Sequence, residues 1–144
     1  MSMTNKDNSV SRAQNALWDT TIKIADNLRD LSEFGVTEAQ FHVLELIYKK
    51  GSCKVTYLAE TMGVKPSAIT TMIDRLSNLR LVYRRQDDND RRAVLVDITD
   101  EGQELINEFH KKCRETLRKY LTHLESDELE SLASIYEKLG NIDI

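Results

Sequence analysis

Thr56-Tyr57-Leu58-Ala59-Glu60-Thr61-Met62-Gly63-Val64-Lys65-Pro66-Ser67-Ala68-Ile69-Thr70-Thr71-Met72-Ile73-Asp74-Arg75-Leu76-Ser77-Asn78-Leu79 is the stretch on which the fold turns. It reads as a short helix ending at Met62, a corner at Gly63-Val64, and a second helix that opens at Pro66. Proline suits a first helical turn, where its missing N–H has no partner to lose and its fixed φ is already helical. Ile69, Met72, Ile73, Leu76 and Leu79 recur at spacings of three and four, which predicts one inward face. Ser67, Thr70, Thr71, Asp74, Arg75 and Asn78 then point outward.

Two segments that read as a ribbon follow, Leu81–Arg85 and Ala93–Ile98, joined by the charged Gln86-Asp87-Asp88-Asn89-Asp90-Arg91-Arg92. Helix, turn, helix and two-stranded ribbon in this order predict a winged helix-turn-helix, whose second helix enters the DNA major groove. The expected class is mainly α with a small β-wing (α+β). Small hydroxyl side chains at the start of that helix let the backbone approach the groove floor and bond bases or phosphates. Arg84 and Arg85, on the ribbon, are expected on backbone phosphates.

The flanks read as helices. Thr37-Glu38-Ala39-Gln40 is a capping-box pattern opening a helix to about Lys50, with Phe41, Leu44, Ile47 and Tyr48 on its buried face. From Ser11 to about Ser32, Leu17, Ile24, Leu28 and Leu31 form a stripe beside Trp18, Ile22 and Ala25, a face wide enough to imply burial on two sides. Thr99 caps a long helix with Asp100 and Glu101 in its first turn, expected to reach about Leu124. Ser126-Asp127-Glu128 starts a last helix lined by Leu129, Leu132, Tyr136 and Leu139. This surplus of apolar surface predicts a symmetric homodimer. The expected organisation is a disordered N-terminus (residues 1–10), a helical dimerisation region (11–36 and 100–144) and the winged unit (37–99) between them.

Charge supports a nucleic-acid partner once it is mapped. The chain of 144 residues has a formal net charge of −4, but Lys65 to Arg92 holds seven cations and four anions, so that segment is +3 and the remainder −7. Segregation of this kind concentrates positive potential on one surface. No apolar run approaches a membrane span, and the polar Met1–Ser11 has no signal-peptide core, so a cytoplasmic protein is expected. Cys53 and Cys113 read as reduced, small apolar residues. There is no Gly-rich phosphate loop, nucleophile elbow or HExxH pattern, which argues against an enzyme, and no cofactor is expected.

The run Leu58–Thr70, then Ile73-Asp74-Arg75-Leu76 and Leu81–Arg85, resembles the helix-turn-helix of the MarR family of bacterial transcription regulators. The wing, Asp87–Arg92 followed by Val96-Asp97-Ile98-Thr99-Asp100-Glu101-Gly102, is similar to that family's most diagnostic signature. The resemblance implies a dimeric repressor of an inverted-repeat operator, released by a small aromatic or phenolic effector. It implies Arg92 at the minor groove, Asp90 as its brace and Arg91 on a phosphate. Lys65 and Ala68 join the outward residues of the second helix as expected DNA contacts, and Trp18, Phe41 and His42 are placed by position at an effector pocket.

Two positions depart from the family pattern. Lys65 replaces the usual Ser, Thr or Asp cap before the proline, and Arg80 stands where a glycine often follows the recognition helix. A left-handed Arg80 would carry strain of roughly 1–2 kcal/mol; alternatively the turn differs here and adds another phosphate contact. A peroxide-sensing cysteine is not expected, because residues 11–32 contain none. Two alternatives stay open: a metal-responsive member using His42 and His110 with Glu38 or Cys113, and a winged helix serving a protein partner.

Overall fold

The computed structural model describes residues 5–144. In chain order the elements are α1 (Asn5–Leu28), a 3-10 turn (Ser32–Phe34), α2 (Glu38–Lys50), β1 (Cys53–Lys54), α3 (Val55–Met62), α4 (Pro66–Asn78), β2 (Val82–Gln86), β3 (Val94–Ile98), α5 (Asp100–Leu121) and α6 (Ser126–Gly140). They form two compact units: Arg29–Lys111, and residues 5–28 with 112–144.

The first unit is wider than the 37–99 read from sequence, because Leu31, Val36 and Ile106 are buried in its core. That core is closed by Phe41, Leu44 and Ile47 of α2, Leu58 of α3, Ile69, Ile73 and Leu76 of α4, and Val82 and Val96 of the ribbon. The predicted inward face of α4 is present except at Leu79, which is 47% exposed. The helix ends at Asn78, so Leu79 leaves the helical face before it can be buried. Thr37 and Gln40 make the full capping box: the Gln40 N–H donates to Thr37 Oγ1 (3.2 Å) and the Thr37 N–H to Gln40 Oε1 (3.0 Å).

The ribbon is antiparallel, with Val82 opposite Ile98 and Arg84 opposite Val96. A third strand, β1, pairs Cys53 with Val96 and gives the sheet order β1-β3-β2. Two glycines make this geometry work. Gly63 adopts φ 65°, the left-handed turn that separates α3 from α4 at little steric cost. Gly102 lies where α5 meets the sheet, and a Cβ there would collide with the Leu81 carbonyl and the Ile98 side chain.

The second unit is different in kind. Neither α1 nor α6 contains a buried residue. Trp18 is 68% exposed, and Ile22, Ile135, Tyr136 and Leu139 are also exposed. The two-sided burial expected for α1 is therefore not achieved within one chain. An apolar groove of about 360 Å³ runs between Ala13, Ala16, Leu17 and Thr20 of α1 and Leu132, Ile135, Tyr136 and Leu139 of α6. Residues 5–10, expected to be disordered, are the first turns of α1, where the Ser9 hydroxyl bonds the Asn5 carbonyl. The rest of that expectation, residues 1–4, lies outside the described residues. α5 stops at Leu121, short of Leu124, and Glu125 with Glu128 forms a second capping box before α6. Among the described residues no helix is long and apolar enough to cross a membrane.

Candidate nucleic-acid interface

α4 presents the expected polar face. Ser67, Thr70, Thr71, Asp74 and Arg75 are exposed, and Ala68 is half-buried at the helix start. Lys65 is the N-cap but makes no side-chain cap bond, so the first-turn N–H groups lack the oxygen that Ser or Asp would supply. The hydroxyls of Thr70 and Thr71 donate back to the Pro66 and Ser67 carbonyls (3.0 and 3.1 Å). Their methyls and oxygen lone pairs remain for a ligand.

The two ribbon arginines are not free. Arg84 donates to Asp74 Oδ1 at 2.6 Å, joining the wing to the exposed face of α4. Both partners are substantially solvated, so the pair contributes only about 0.2–1 kcal/mol. Arg85 sits in a tighter ring: its Nε donates to Asp97 Oδ2 at 2.5 Å, its other arm donates to Ser52 Oγ at 2.8 Å, and Ser52 donates to Asp97. The hydrogen bond to Asp97 pushes the Arg85 guanidinium above its already high ordinary value. The expectation that both arginines serve phosphates thus meets a competing role for each. Ser52 and Asp97 were missed by sequence reasoning. Asp97 was accessible to it, since strand register sets it opposite Tyr83 and beside Arg85.

The wing tip is shaped by two aspartates. Asp87 Oδ1 accepts the Asn89 N–H, and Asp90 Oδ1 accepts the Arg92 N–H, each at 3.0 Å. These are Asx-type turns that fix a loop backbone locally. Asp90 therefore braces Arg92 through its main chain, whereas the sequence reading placed the brace on the inserted cation. The Arg91 and Arg92 side chains are exposed, with no carboxylate partner among the described residues. The same is true of Lys65, Arg75 and Arg80.

The expected effector residues divide between the units. Phe41 and His42 line a cleft of about 580 Å³ with Arg29, Glu38, Glu45 and Phe109. The Phe41 and Phe109 rings pack 4.4 Å apart between centroids with their planes tilted by 53°, and His110 lies 3.4 Å from Glu45. Trp18 belongs to the other unit, where it lines a separate groove with Gln14, Asn15, Leu17 and Thr21. Among the described residues no group of three or more His, Cys, Asp or Glu side chains converges as a metal site would require. Burial pushes the Cys53 thiol up, so it stays protonated and unreactive.

A packed helix-turn-helix with an exposed polar recognition face and a wing that exposes Arg91 and Arg92 at its tip defines the winged-helix class of DNA-reading regulators. Comparison with known proteins narrows that class. A sequence profile of the MarR family matches residues 36–94. The HTH-type transcriptional repressor MdtR of Bacillus subtilis is 39% identical over 113 residues, covering 78% of this chain and 73% of that protein. The multiple antibiotic resistance protein MarR of Salmonella typhimurium is 32% identical over 110 residues, 76% of each chain. The crystal structure of the YusO protein of Bacillus subtilis superposes with a TM-score of 0.77 at 35% identity, covering 97% of this chain and all of the other. The chain belongs to the MarR family of DNA-binding transcriptional regulators.

Proposed function

We propose that the protein is a cytoplasmic, sequence-specific repressor that binds an inverted-repeat operator as a homodimer. The observation that carries this reading is the surface of the winged unit. Exposed Ser67, Thr70 and Thr71 lie on a helix flanked by cations that no carboxylate neutralises, Lys65, Arg75, Arg91 and Arg92. The α4 hydroxyls meet base edges in the major groove, and Arg92 enters the adjacent minor groove, where a narrow A/T-rich tract concentrates negative potential. The Lys65 ammonium and the uncapped start of α4 share one phosphate.

Dimerisation supplies the second half-site, and the exposed apolar faces of α1 and α6 are the surface it covers. The Phe41–Phe109 cleft, which His42 also lines, is the place proposed for a small aromatic or phenolic effector. Nuclease footprinting on fragments selected by the protein from its own genome tests this reading. The expected result is a protected site with twofold symmetry; retention of DNA without a recurring site would refute sequence-specific repression.

A further inference from the structure

The outer face of the sheet carries a polar arrangement that the proposed DNA contacts do not use. Val82 and Val96 point into the core, so strand alternation puts Tyr83, Arg85 and Asp97 on the opposite face. There Arg85 reaches diagonally across the ribbon, from one residue short of the end of β2 back to Asp97 of β3. The same guanidinium donates to Ser52, which itself donates to Asp97. Ser52 lies in the link between α2 and α3, immediately before β1. One closed triangle of side chains therefore joins the wing to the segment that leads into the helix-turn-helix.

The triangle is shielded at its carboxylate and occupies its arginine. The Asp97 side chain is only 15% exposed. Besides Asp97 and Ser52, Arg85 donates to the Gln86 carbonyl at 3.4 Å and lies 4.0 Å from the Asp88 carboxylate. Each of its three side-chain nitrogens thus has a protein partner, which a phosphate would have to displace. Backbone pairing holds the ribbon less firmly. β1 pairs Cys53 with Val96 and Lys54 with Leu95, a seam of two residues, and a two-stranded ribbon is marginally stable by itself. The five residues of β2 extend about 17 Å, so a tilt of about 10° at the base moves the tip by about 3 Å. The minor groove is roughly 6 Å wide. The angle of the wing thus decides whether Arg92 reaches that groove while α4 occupies the major groove.

We infer that Ser52 and Asp97 are positioning residues that act through Arg85, fixing the angle of the wing to the helix-turn-helix so that Arg92 meets the minor groove. The inference rests on the proposed DNA-binding function. A wing held in its binding geometry spares the ordering cost that association otherwise meets. The sign of one substitution separates this role from a phosphate contact by Arg85. Asp97→Asn removes an anion from the ribbon and frees the guanidinium, which by charge alone strengthens DNA binding. Loss of the brace weakens it.

The test titrates the footprinted operator with full-length protein, well below the unfolding temperature. Asp97→Asn, Arg85→Lys and Ser52→Ala are each measured with and without Arg92→Ala. Asp97→Asn is expected to bind about three- to tenfold more weakly than the wild type. Arg85→Lys should also bind more weakly, since an ammonium cannot bridge both partners as a fork does. In both backgrounds Arg92→Ala should cost less than in the wild type, because the wing no longer presents Arg92. A role confined to the fold would lower the unfolding temperature and leave the Arg92 increment whole, so an undiminished increment overturns the inference. Wild-type or tighter binding by Asp97→Asn overturns it as well. Either result, with Arg92→Ala still weakening binding, leaves the DNA-binding reading standing. Ser52→Ala keeps every charge and serves where Asp97→Asn does not fold. It should show a smaller loss with the same reduced Arg92 increment, and a full increment there overturns the inference. Failure of the wild type to bind any duplex overturns both.

Discussion

The winged unit and the helical ends solve burial in opposite ways. Between Arg29 and Lys111, four helices and three short strands close one core, with Leu44, Ile47, Leu58, Ile69, Ile73 and Leu76 wholly inaccessible. In α1 and α6, a comparable density of Leu, Ile and Tyr leaves no residue buried. Apolar periodicity alone thus identifies a face that needs covering; only the number of neighbouring elements decides whether one chain can cover it. The contrast separates a region that closes its own core from one whose apolar faces stay open, the surface proposed above for dimerisation.

Substitutions should separate these assignments. Leu44→Ala in the winged core is expected to cost about 2–5 kcal/mol in urea unfolding, because it removes a fully buried side chain and leaves a cavity. A cost below about 1 kcal/mol would show that the core is loosely packed. Ile135→Glu on the α6 groove should instead convert dimer to monomer in sedimentation, with operator affinity falling by about tenfold or more as the second half-site is lost. An unchanged dimer would place the interface elsewhere. Arg92→Ala is expected to weaken operator binding by about 1–3 kcal/mol while leaving thermal unfolding unchanged, since its side chain bonds no carboxylate in the free protein.

Thr37→Ala removes one half of the α2 capping box and should cost about 1 kcal/mol. The smallest effect concerns pH. Burial raises the Cys53 thiol above its ordinary 9.0, so the folded state holds that proton more tightly than the unfolded state. Its contribution to stability is complete below 9.0 and is lost as pH rises through the higher folded value. Cys53→Ala should flatten this part of the stability profile, and native Cys53 should resist thiol reagents at neutral pH.

Much of the winged unit was legible because its signals are local. Pro66, Gly63, the Thr37–Gln40 box and the spacing of Ile69, Ile73 and Leu76 each fix a helix end or face within a few residues. β1 was not legible, since two residues show no alternation and the strand exists only by pairing with β3. The same holds for the interface. The exposed positions of α4 follow from its buried ones, but the capture of Arg84 by Asp74 and of Arg85 by Asp97 and Ser52 depends on how the wing lies against its neighbours. Asp90 shows the limit in reverse: its pairing with Arg92 was readable, while its choice of the backbone N–H was set by the turn. The reach of α1 back to Asn5 was hidden by polar residues that one chain leaves solvated.

The central claim is that the winged unit reads a specific duplex and the helical ends pair two such units. Fluorescence-anisotropy titration of the purified protein against its own upstream region and a scrambled duplex, at near-physiological salt, tests it most directly. Tight, salt-sensitive binding to the upstream region at one dimer per site, weakened by Arg92→Ala, is the predicted result. Equal binding to both duplexes, unaffected by Arg92→Ala, would contradict it.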